Sequence, residues 1–252
     1  MKVEVYVQAR MGSTRLPGKV MKKVLNKPLL QFQIERLRYS KEIDGLVILT
    51  TTLPQDDQIV QFCRELGVDC LRGSSEDVLD RYYQAAQLRQ SDAIVRVTSD
   101  CPLIDPDILD EVVRVFKSQP LDYVSNTLIR TYPRGLDVEV LSFQSLCRAW
   151  REGIREEERE HVTPYLYRHP ELFRLQNVAL TKVAALTPPA EQHRWTVDTE
   201  ADFELIKRIL EALYPSSPQF RMEDVFNLLK KHPSWSQLNA HIEQKTVPHS
   251  TL

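Results

Sequence analysis

Between residues 8 and 19 the chain reads Gln-Ala-Arg-Met-Gly-Ser-Thr-Arg-Leu-Pro-Gly-Lys, which places Arg10, Arg15, Lys19 and two glycines directly behind a short apolar run. Three cations on one loop can neutralise the several negative charges of a nucleoside triphosphate, and Gly12 lets the backbone turn its N–H groups toward an anion at close range. A solvated basic turn is the plainer alternative. The stretch from Gly12 to Lys19 looks like a Walker A phosphate loop, but five residues rather than four separate its glycines. Val20 also stands where that motif needs a magnesium-binding Ser or Thr. ATPase and GTPase readings lose most of their support on that spacing.

Two acids complete the chemistry. Asp100 follows the apolar run 93–97, in Thr-Ser-Asp-Cys-Pro, and Asp198 follows 194–197, in Trp-Thr-Val-Asp-Thr. If both runs are strands of a parallel sheet, both acids lie at strand carboxyl ends, the edge where ligands bind and onto which the phosphate loop opens. Two hard oxygen ligands suit Mg²⁺, which takes one or two carboxylates plus phosphate oxygens and waters. Each acid also has a plainer use, Asp198 ahead of a capped helix and Asp100 in the turn before Pro102.

The elements that must position these residues alternate through the first half of the chain. Residues 3–7, 46–50 and 93–97 read as strands, each followed by a helical pattern, as in a parallel sheet covered on both faces. Pro28 opens one helix, Ser74 with Asp77 forms a capping box for a second, and Asp105-Pro106 starts a third. Beyond Pro120, residues 123–124 and 138–141 look like strands and 143–169 like a charged helical stretch. Residues 194–197 read as a return strand, after which Thr199 and Asp202 cap a further helix. The expected organisation is one α/β domain over 1–243, with an insertion or lid at about 127–170 and a disordered tail at 244–252.

Composition bounds the partners. The net charge of −2 and pI near 6.3 give no global attraction to nucleic acid or an anionic membrane. Yet residues 1–40 hold nine Lys or Arg against Glu4 and Glu35, an excess suited to a small polyanion. Cys63, Cys70, Cys101 and Cys147 lack Cys-x-x-Cys spacing and read as reduced thiols. No apolar run approaches the roughly 18 residues of a membrane span, so a cytoplasmic protein is expected.

The segment 8–19, Ser99-Asp100-Cys101-Pro102-Leu103 and Val197-Asp198-Thr199 together resemble the three signatures of the cytidylyltransferases that activate acidic sugars, such as acylneuraminate and 3-deoxy-manno-octulosonate. Ser75-Glu-Asp-Val-Leu-Asp-Arg-Tyr82 and Arg159-Glu-His-Val-Thr-Pro-Tyr165 resemble more narrowly the branch of spore-coat polysaccharide biosynthesis protein F. The likeness runs from about Met1 to Leu213.

It implies a three-layer glycosyltransferase-A-like, Rossmann-like fold and transfer of CMP from CTP to a sugar hydroxyl, with Mg²⁺ as cofactor and a homodimer formed partly through 127–170. Gln8, Ala9, Arg10, Gly12, Ser13, Arg15 and Lys19 would hold the nucleotide, with Arg10, Lys19 and Asp100 acting in the chemistry, and Asp100 and Asp198 would carry the metal. One departure weighs against octulosonate as acceptor: Cys101 stands where members activating that sugar have an acidic residue.

For the base, the loop at Arg72 and Ser74 could offer backbone bonds to a cytosine, with Asp77 and Arg81 near the ribose or acceptor; helix capping explains Ser74 and Asp77 equally well. For an acidic sugar, Tyr132, Arg134 and Asp137 combine a ring hydroxyl and charges beside a strand, and His161 could contribute. Arg134 in a plain turn and His161 on a solvated helix are the competing readings. Another nucleoside triphosphate, a sugar-phosphate or phosphonate acceptor, or a catalytically silent nucleotide sensor are the alternatives for the whole.

Overall fold

The structure, a computed structural model, describes residues 1–181 and 189–243. Among the described residues there are nine strands: β1 (Val3–Gln8), β2 (Lys23–Val24), β3 (Lys27–Pro28), β4 (Gly45–Thr51), β5 (Asp69–Gly73), β6 (Ala93–Thr98), β7 (Tyr123–Ser125), β8 (Glu139–Ser142) and β9 (Leu175–Asn177). Seven form one sheet in the order β5-β4-β1-β6-β8-β7-β9, while β2 and β3 pair apart as a small hairpin. The first four sheet strands run parallel, β8 is antiparallel to both β6 and β7, and β9 returns parallel to β7. The order reverses beside β1, so the crevice at the carboxyl ends of β1 and β6 is where such a sheet binds its ligand.

The described residues also form ten α-helices: α1 (Leu29–Leu37), α2 (Asp57–Glu65), α3 (Val78–Arg89), α4 (Pro106–Ser118), α5 (Phe143–Glu152), α6 (Glu156–His161), α7 (Pro164–Arg168), α8 (Glu200–Leu213), α9 (Met222–Lys231) and α10 (Pro233–Ser236). Strand alternation sorts the core into two clusters. Val3, Val5 and Val7 of β1 pack with α1, α4, α8 and α9 on one face. Tyr6 of β1, with Val47 and Leu49 of β4, packs with α3, α5 and α7 on the other. The result is a three-layer α/β fold with a mostly parallel central sheet.

The helix starts follow their local chemistry. Asp105 caps α4 ahead of Pro106, and its second oxygen accepts the Met222 N–H at 2.7 Å, tying α4 to α9. Thr199 and Asp202 form the capping box of α8.

Three expectations need correction. The cap of α3 is Asp77, whose carboxylate accepts the Asp80 N–H, while Ser74 accepts the Asp77 N–H one turn earlier. Residues 143–169 form three helices instead of one stretch, broken at Gly153 and at Val162, which sits at φ 72°. The 127–170 segment, expected as an insertion or lid, supplies β8 as an interior strand of the sheet and packs α5 and α7 in the second cluster. Residues 194–197 are not a strand: their backbone bonds are an isolated parallel bridge between Arg134 and Arg194 and the single bond from Val197 N–H to Asp100 O. The tail at 244–252 lies outside the described residues.

That bridge depends on Gly135. Its φ of 101° lies in the left-handed region, and a Cβ built there would stand 2.6 Å from the Trp195 carbonyl carbon. The close approach lets Arg134 donate its N–H to His193 O at 3.0 Å and accept from Trp195 N at 2.7 Å. Gly135→Ala is therefore expected to destabilise the protein by about 1–3 kcal/mol through backbone strain and overpacking. Urea denaturation measures it, and an unchanged midpoint would refute the requirement.

Candidate active site

The loop after β1 closes on itself around Met11. The Met11 carbonyl accepts from Ser13 N at 2.9 Å and Gly18 N at 3.0 Å, and the Met11 N–H donates to buried Asp56 at 2.7 Å. Asp56 is held in turn by the Thr51 hydroxyl. The glycine that needs its left-handed backbone is Gly18, at φ 68°; Gly12 has no positive φ, and a Cβ there would meet only the end of the Gln55 side chain. From Gly18 the chain turns into the single 3₁₀ turn Lys19–Met21, which aims Lys19 back at the sheet edge.

There the Lys19 ammonium joins the two acids. Its Nζ lies 3.3 Å from Asp100 Oδ2 and 2.9 Å from Asp198 Oδ1, and it also donates to the Val197 carbonyl at 2.7 Å. Backbone bonding holds the carboxylates side by side: Val197 N–H donates to Asp100 O at 2.8 Å. Burial alone would raise the Asp100 carboxyl, but the Lys19 charge and bonds from Thr98 Oγ1 and Cys101 Sγ outweigh it and hold the group at about 2. Burial works against the Lys19 charge too, and the two carboxylates more than offset it, so its pKa is raised. Both partners stay ionised at neutral pH. Asp198 is further met by Arg15 Nη2 at 3.0 Å and Arg194 Nη2 at 2.7 Å.

These groups form one wall of a cavity of about 300 Å³. The structure brings Gln8, Ala9, Arg10, Ser13, Arg15, Lys19, Asp100 and Asp198 to it, together with Arg81 and His161. Burial pushes the His161 imidazole below its usual range, toward the neutral form.

Other expected residues are engaged elsewhere. Arg72 donates to the Thr51 and Leu53 carbonyls and to Asp57. Ser74 is used at the start of α3, and Asp77 both caps α3 and receives Arg159 from α6. Tyr132 lies in the core, Asp137 is held by Arg130 at 2.7 and 2.9 Å, and Arg134 makes the backbone bridge to Arg194. None of these six lines the cavity, nor does Gly12.

The sequence reading passed over Arg96, Thr98, Ser99 and Glu160, which do line it. The signal was the alternation of β6: Val95 and Val97 face one cluster and Ile94 the other, so Arg96 and Thr98 share the Ile94 face. Arg96 is charge-paired with buried Glu139, which also accepts from Tyr123 Oη and Thr163 Oγ1, each at 2.6 Å. Asp56 was also missed, since only the fold brings it beneath Met11.

A family model described as cytidylyltransferase matches residues 5–245. The chain is 37% identical over 250 residues to an uncharacterized protein of Methanocaldococcus jannaschii, covering 98% of each chain. It is 35% identical over 235 residues to the spore coat polysaccharide biosynthesis protein SpsF of Bacillus subtilis, covering 90% of this chain and 93% of that one. The solved structure of a cytidylyltransferase from Leptospira borgpetersenii serovar Hardjo-bovis superposes with a TM-score of 0.88 at 35% identity, covering 99% of this chain and all of that one. The fold is thus that of the nucleotidyltransferases, and this chain belongs to the cytidylyltransferase family.

Proposed function

We propose that the protein transfers CMP from CTP to a hydroxyl of an acidic sugar, releasing pyrophosphate, and works as a cytoplasmic homodimer in the assembly of a surface polysaccharide or glycoconjugate. One observation carries this reading: a phosphate-loop lysine is shared by two carboxylates at the carboxyl edge of the sheet, inside a cavity rimmed by Arg10, Arg15 and Ser13. The likeness to a spore coat polysaccharide biosynthesis protein supports the polysaccharide context.

In such a reaction the acceptor oxygen bonds to the α-phosphorus as the bond to the pyrophosphate oxygen breaks in line, and negative charge grows on the leaving group. Lys19, Arg10 and Arg15 meet that charge from fixed positions on one loop. Arg81 and His161 also line the cavity and are assigned to the sugar, since a guanidinium suits a carboxylate and a neutral imidazole can hydrogen-bond a hydroxyl.

The donor set fits a hard divalent cation. Asp100 and Asp198 converge on one positive charge, and among the described residues no group of three or more His, Cys, Asp or Glu could hold a metal ion. A two-carboxylate site completed by phosphate oxygens and water is the usual arrangement for Mg²⁺. Held by Asp100 and Asp198, Mg²⁺ would neutralise phosphate charge and acidify the attacking hydroxyl.

Lys19→Ala and Asp100→Asn are each expected to lower kcat for CTP-dependent pyrophosphate release by about 10²–10³-fold while the protein stays folded. A folded variant with undiminished turnover removes that residue from the chemistry. Calorimetric titration is expected to show CTP binding more tightly than UTP or ATP, and tighter ATP binding would defeat the cytidylyl reading.

A further inference from the structure

The three cations around Asp198 are anchored differently. Lys19 and Arg15 belong to the phosphate loop, where an arriving triphosphate competes for them. Arg194 is fastened from behind: its side chain is 7% exposed, its Nε donates to Asp202 Oδ1 at 2.9 Å, and its Nη2 reaches Asp198 Oδ2 at 2.7 Å. Asp202 is itself fixed, because its Oδ2 accepts the N–H groups of Asp198 and Thr199, each at 3.0 Å.

Behind this pair sits Asn239, which follows α10 and is buried. Its Nδ2 donates to Asp202 Oδ1 at 2.8 Å and to the Arg194 carbonyl at 2.9 Å. It thus clamps both partners of the ion pair with one amide.

We propose that Arg194 is a positioning residue for Asp198, and that Asn239 locks it, so that the C-terminal helices set the geometry of the catalytic edge. When the loop cations turn toward phosphate, Asp198 keeps one counter-charge and one fixed oxygen, and its other oxygen, now held by Lys19, is left to face the ligand. Arginine suits this place because its planar guanidinium meets Asp202 through Nε and Asp198 through Nη2 in one rigid fork, which the flexible stem of a lysine does not hold in place. Removing the Asn239 amide strips a donor from Asp202 and from the Arg194 backbone, and the loosened pair lets Asp198 swing.

This inference rests on the proposed function, and the experiment separates the two. In the full-length protein, CTP affinity is measured by calorimetry with and without Mg²⁺, alongside steady-state pyrophosphate release and thermal melting, for wild type, Asn239→Ala and Arg194→Lys. Asn239→Ala is expected to keep the Mg²⁺-free CTP affinity. It should lose about 10–100-fold of the affinity gained with Mg²⁺ and fall in kcat with little change in KM, as when a partner behind a metal ligand is removed. Arg194→Lys is expected to do the same more severely; if it does not fold, Asn239→Ala carries the test.

An Asn239→Ala protein with wild-type Mg²⁺ gain and kcat overturns the proposal, whether or not its melting temperature falls. Equal loss of Mg²⁺-free and Mg²⁺-dependent binding also overturns it, as a general structural defect. A wild-type protein with no affinity for CTP overturns the proposed function itself.

Discussion

Everything at the carboxyl edge of the sheet is arranged around one shared charge, the Lys19 ammonium between Asp100 and Asp198. Two carboxylates this close, in a partly buried crevice, repel each other and lose hydration, and a cation between them offsets both costs. Lys19 removes that penalty, and Arg15 and Arg194 add to it on the Asp198 side. The cluster is therefore a preorganised, strongly polar patch at the edge of the sheet. Such a patch can exchange its own ammonium for a ligand's charges without first dismantling a hydrophobic contact.

The sheet makes this arrangement affordable in geometric terms. Parallel strands deliver the phosphate loop and Asp100 to the same edge as a matter of topology, because β1 and β6 are neighbours in register. Asp198 arrives by a different route. It rides on an extended segment that lies against Asp100 through the Val197 backbone bond and against Arg134 through a single bridge. That segment can come so close only because Gly135 has no side chain to meet it.

The sequence reveals the parts of this design that are local. The phosphate loop is a contiguous run of unusual composition, Asp105-Pro106 and Thr199 with Asp202 are self-contained caps, and the apolar strands are short and bounded. What escapes is set by distant contacts. Residues 194–197 have the apolar alternation of a strand, with Trp195 and Val197 both buried, yet their hydrogen-bonding partners are a turn and an acid's carbonyl instead of a neighbouring strand. The β2–β3 hairpin turns at Leu25 and Asn26, both at positive φ, without the glycine that usually marks such a turn. Ser74, Asp77 and Arg72 have the right types for ligand binding, but the backbone and helix α6 claim them first. Residue type alone does not show which demand wins.

The ion pair at the heart of the crevice joins distant parts of the polypeptide: Lys19 and Asp198 stand 179 positions apart. Contacts of that span close a very long loop and form only after the intervening chain has found its place. A nascent chain emerging from the ribosome exposes its cationic loop long before Asp198 exists to balance it. Order of synthesis thus separates the appearance of the anion-attracting loop from the assembly of a competent crevice, and full pairing of these charges marks a chain that has finished folding.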